Sequence, residues 1–159
     1  ALLAGSVLCV VGAEAWLLGS PAVPWVLDKA FLAVCLAFQA VMAAALLPAA
    51  PSRCSSGVLD VCHWAFVVLV HAGAVLLRAP QCLLLIFALA LATVSSRLCM
   101  DNTCLITAAA QRTSLPNISG AAVTWIFAGL LALSGLRLCL MAAFGWGFPI
   151  DQLAQRSSA

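Results

Sequence analysis

The sequence predicts an all-α, polytopic integral membrane protein with about five transmembrane helices joined by short loops. Two compositional facts and one pattern carry this. Hydrophobic residues make up 65% of the 159-residue chain and charged residues only 8%, whereas a soluble domain is about half apolar and about a quarter charged. Mean hydropathy is +1.17, and a water-soluble fold of this size still exposes too much surface to hide that much apolar material. The apolar residues also fall into five runs, each close to the ~20 residues that cross a bilayer, separated by proline, glycine and serine clusters. A single transmembrane domain covering residues 1–159 follows.

The first span, 1–19, is ALLAGSVLCVVGAEAWLLG, long enough to cross but interrupted by Glu14. Ser20, Pro21 and Pro24 end it, because proline lacks an amide donor and clashes with the preceding turn. Trp16 and Trp25 flank the break, as interfacial aromatic residues do. The second span, 26–47, places Asp28 and Lys29 in its first turn. The acidic group there complements the helix dipole, and the lysine reaches for the headgroups. Pro48, Pro51, Ser52, Ser55, Ser56 and Gly57 form a loop. The third span, 58–78, carries both histidines, His63 and His71, with Asp60 near its start and Arg78 at its end. The tight Arg78-Ala79-Pro80 connection makes the fourth span, 81–100, its antiparallel neighbour.

Residues 101–120 form the longest polar segment, with a short interfacial helix expected at 107–112 before Pro116 stops it. The fifth span, 121–144, ends at Gly145, Gly147 and Pro149, and the tail 149–159 is polar. Five spans put the termini on opposite sides. On the side of the N-terminus, side A, lie Arg53, Arg97 and Arg112; on side B lie Lys29, Arg78 and Arg156. Three against three assigns no orientation by the positive-inside rule.

Ionisable groups inside spans are costly and must find partners. Counting ~1.5 Å of rise per residue places Asp60 and Arg97 near side A on adjacent spans, so an ion pair between them is expected. The same count puts Glu14 and His71 about 20 Å from side A and Arg137 about 25 Å, which predicts a second polar cluster of these three. His63 and His71 are separated by about 12 Å along the helix and about 80° around it, so one metal centre cannot use both. Each can separately ligate a haem iron or a chlorophyll magnesium, His71 being the deeper candidate. Without such a cofactor, bound lipid is the expected ligand. Gln39, mid-span, reads as an interhelical hydrogen-bonding group.

Five of the eight cysteines, Cys9, Cys35, Cys62, Cys82 and Cys139, fall inside spans, where cysteine packs as a small apolar residue. Cys54 and Cys104 occupy the two side A loops and can form a disulfide if side A faces an oxidising space. A zinc site from Cys54, His63, Cys99 and Cys104 lacks the CxxC spacing that would support it. Asn117-Ile118-Ser119 fits the N-glycosylation acceptor pattern on side A.

The sequence contains no GxSxG, P-loop, HExxH or GxGxxG pattern, and its five carboxylates are scattered. Enzymatic catalysis is therefore disfavoured. A net charge of +2 without a basic run disfavours nucleic acid as a partner. Two classes remain. The first is a non-catalytic accessory subunit of a larger membrane complex, a respiratory or photosynthetic one in an organelle, with other membrane subunits and lipids as partners. An organellar inner or thylakoid membrane fits this class, and an endomembrane is the alternative; Ala1 in place of a methionine is explained equally by processing of a targeting peptide or by truncation of the sequence. The second class is a small proton, ion or solute transporter or channel built on Glu14, His71 and Arg137. No inverted repeat relates the two halves, which counts against a secondary transporter.

Overall fold

A computed structural model describes residues 2–46, 53–104 and 120–144, and all of its regular structure is helical. The helices are α1 (Leu2–Gly19), α2 (Val26–Leu46), α3 (Arg53–Leu76), α4 (Pro80–Cys99) and α5 (Ala121–Phe144). Helices α2 to α5 are each long and apolar enough to cross a membrane, and α1 contributes a shorter apolar stretch, Leu8–Gly19. The protein is accordingly a multi-pass membrane protein. The one boundary that departs from expectation by more than two residues is the start of α3. It begins at Arg53 rather than at 58, because serine and a single glycine after Pro51 do not stop a helix as proline does. The helix expected at 107–112, the tripeptide at 117–119 and the tail 149–159 lie outside the described residues.

Local chemistry fixes the helix ends. Ser20 stops α1 by accepting the Ala22 amide on its own hydroxyl at 3.2 Å, a short serine turn that prolines 21 and 24 then extend. Pro80 opens α4 at its first position, where a missing amide costs nothing. At the other end of α4, Asp101 and Asn102 take positive φ (50° and 61°), the left-handed conformation that short polar residues tolerate. The Asn102 amide then reaches back to the Arg97 carbonyl at 2.7 Å and closes the helix.

The helices pack in chain order from α1 to α3, with α1 on α2 and α2 on α3; α4 pairs chiefly with α5, and α3 bridges both groups. The main core lies where they meet, built from Leu32, Val70, Ala74, Cys82, Ile86 and Phe127. Glycine permits the closest approach. A Cβ on Gly73 of α3 would stand 2.8 Å from Phe31 Cζ of α2, so the phenyl ring fills the space that a side chain would take. Helices α4 and α5 meet similarly at Gly135, where an added Cβ would lie 3.1 Å from the Phe87 ring. Large apolar residues such as Trp16, Val68, Leu84, Trp125 and Leu136 point outward, the inverse of a soluble bundle and the arrangement a lipid solvent favours.

Candidate functional site

Most of the buried and half-buried polar residues described fall into three groups at different heights. On side B, the α3–α4 turn is held from two directions. Asp28, fully buried in the first turn of α2, accepts the Arg78 amide at 3.1 Å and the Ala79 amide at 2.6 Å. These donors precede Pro80, and no side chain of the turn itself caps α4. From the opposite side, Arg137 of α5 donates to the carbonyls of Ala74 and Leu77, the latter at 2.7 Å. A carboxylate thus faces the positive end of α4 while a guanidinium faces the negative end of α3, as the dipoles require. The Arg78 guanidinium lies over the Trp25 ring, 5.3 Å from its centroid, which anchors this turn to the α1–α2 connection.

On side A, Arg97 joins the end of α4 to the beginning of α5. Its Nε donates to Thr124 Oγ1 at 3.0 Å, and its Nη2 donates to the carbonyls of Asn102 at 2.6 Å and Gly120 at 3.2 Å. Thr124 in turn donates to Asn102 Oδ1 at 2.8 Å. Gly120, with φ of 106°, supplies the conformation that aims its carbonyl at the guanidinium. Asp60 of α3 and Arg97 are both almost wholly buried, at 3% and 2% exposure. His63, one turn after Asp60, is buried with Nε2 3.3 Å from Cys104 Sγ. The side chain of Cys54, the other half of the expected disulfide, lies outside the described residues. Among the described residues, no group of three or more His, Cys, Asp or Glu side chains could hold a metal ion.

In the middle of the bundle the three residues expected to cluster each have contacts of their own. Glu14 of α1 meets Gln39 of α2, whose Nε2 donates to Glu14 Oε1 at 2.7 Å, the interhelical hydrogen bond expected of Gln39. His71 Nδ1 lies 2.7 Å from the Val67 carbonyl one turn back, and its ring stands edge-on to Phe127 with centroids 5.1 Å apart. The 2.7 Å contact marks Nδ1 as the protonated nitrogen, leaving Nε2 as a buried lone pair with no partner. A ring fixed through Nδ1 in this way is what a haem or magnesium-porphyrin ligand needs, although Phe127 occupies the adjacent space. Arg137, the third expected member, donates to the α3 terminus. Depth along a span sets the height of a residue but not its partners: the bond to Glu14 comes from α2, whereas the contacts of His71 with Phe127 and of Arg137 with Leu77 lie between α3 and α5.

Sequence reasoning missed the capping roles of Asp28 and Arg137. One signal was present: Pro80 leaves two amides ahead of it without helical acceptors, and Asp28 is an acidic residue at the same membrane side. No match was found to any protein-family model, curated protein or solved structure.

Proposed function

We propose that this chain is a non-catalytic structural subunit of a larger membrane assembly, with an organellar respiratory or photosynthetic complex as the favoured setting. The observation that carries this reading is the use made of the intramembrane charges. Asp28 and Arg137 satisfy the backbone at one turn, and Arg97 satisfies it at another. Charged residues within a membrane mark a pathway when they face a cavity or relay, and these three instead close helix ends. Such a protein offers its neighbours packing surface. The exposed side of α5 suits that role, since Trp125, Ile126 and Leu136 project outward beside Gly129, whose Cβ position is open. Helices in lipid associate through close approach of this kind.

The test is extraction of native membranes in a mild detergent followed by separation by size. Co-migration of the chain with one large complex, at fixed stoichiometry, supports the proposal. Migration as a discrete small homo-oligomer contradicts it.

A further inference from the structure

The Glu14–Gln39 pair takes no part in the helix-end contacts. Both residues are only 2% exposed, and they are joined by the single bond from Gln39 Nε2 to Glu14 Oε1. The remaining oxygen of each, Glu14 Oε2 and Gln39 Oε1, is buried and has no hydrogen-bond partner. Two orphaned acceptors on adjoining side chains are costly in an apolar interior, and an ionised carboxylate there is costlier still. Both oxygens lack the same thing, a hydrogen.

We propose that Glu14 is a proton-binding site, in which one hydrogen on Oε2 is donated to Gln39 Oε1. Acid and amide then form a closed two-bond ring: the amide donates to one carboxyl oxygen and accepts from the other. The balance is simple. One proton is taken from solution, the carboxylate becomes a neutral acid, and no other bond is made or broken. A hard metal cation is the poorer occupant, because such ions take about six oxygen ligands and the pair presents two unused ones.

The surroundings favour the neutral form. From α2, the helix on which α1 chiefly packs, the ionisable group facing Glu14 is the Cys35 thiol, one turn before Gln39. Two arginines of the bundle make described bonds at other places, Arg137 at the α3 terminus and Arg97 at the α5 entry. The proton is therefore part of the α1–α2 contact.

Glu14 is the one glutamate in the sequence, so isotopic labelling singles it out without a mutation. The protein is made with glutamate carrying carbon-13 at the side-chain carboxyl, reconstituted in lipid, and examined by infrared spectroscopy at pH 7. The expected result is an isotope-shifted carboxylic-acid C=O band that vanishes in Glu14→Gln and moves to higher frequency in Gln39→Leu, where the acceptor is gone. Labelled signal found only in the carboxylate region at pH 7 overturns the proposal. So does loss of the acid band on adding sodium or lithium at constant pH, which would identify a cation site. The labelled wild-type spectrum decides even if a variant fails to fold.

Discussion

Ala79 donates its backbone amide to the Asp28 carboxylate at 2.6 Å, across 51 residues of sequence and from one helix start to another. Ala79 is 2% exposed, so water does not reach this donor and losing the bond leaves it unsatisfied. Asp28→Ala removes the acceptor for both Arg78 and Ala79. Hydrogen bonds to charged groups contribute about 1.5–3 kcal/mol each, and a loss on the order of 3 kcal/mol is expected in detergent unfolding measurements. Asp28→Asn retains an acceptor oxygen and should lose clearly less; equal losses would show that hydrogen bonding to Asp28 is not what matters.

Arg137 does the complementary work at the end of α3. Arg137→Ala strips the guanidinium from the Ala74 and Leu77 carbonyls, and a loss of about 1.5–3 kcal/mol is expected. Because Asp28 and Arg137 hold the same turn, the double variant should be less damaging than the sum of the single ones. Coupling between contacting residues runs at about 0.5–3 kcal/mol. Strict additivity in a double-mutant cycle would show that the two ends of the turn are held independently.

Asp60 and Arg97 are both buried near side A, and we expect their charges to offset one another. Asp60→Ala should then cost roughly 3–5 kcal/mol, as removal of one member of a buried pair does. Replacing both should recover part of that loss. If Asp60→Ala is as stable as the wild type, the pairing is wrong, whereas Arg97→Ala must still be destabilising through its bonds to Thr124, Asn102 and Gly120.

The contact of Phe31 with Gly73 gives a packing prediction. Gly73→Val gains only a few tenths of a kcal/mol in helix propensity, against about 1–3 kcal/mol for forcing atoms into a filled space. Net destabilisation is expected, with partial rescue by Phe31→Leu. A Gly73→Val protein as stable as the wild type would mean that the ring moves aside without cost.

The elements of this fold were legible because lipid makes them so: apolar length sets the span, and Pro21, Pro24 and Pro80 set breaks between helices. Gln39 was legible too, since an amide in mid-span has to bond across helices. The partners of Glu14 and Arg137 were not. Rise per residue places them at comparable heights, but facing requires rotation as well, and rotation depends on contacts such as Phe31 against Gly73 that no spacing rule announces. Arg137 was further obscured because the bonds it donates to Ala74 and Leu77 end on backbone carbonyls, which carry no sequence signature. Asp28 was read as serving its own helix, when its carboxylate serves the next hairpin.

The central claim is that the intramembrane charges of this chain hold helices together and do not conduct. Purified protein reconstituted alone in liposomes carrying an internal pH-sensitive dye measures this directly under an imposed proton gradient. The account predicts that proton entry equals that of protein-free liposomes and is unchanged by Glu14→Gln. Proton flux above that background, abolished by Glu14→Gln in a protein that still folds, would contradict it.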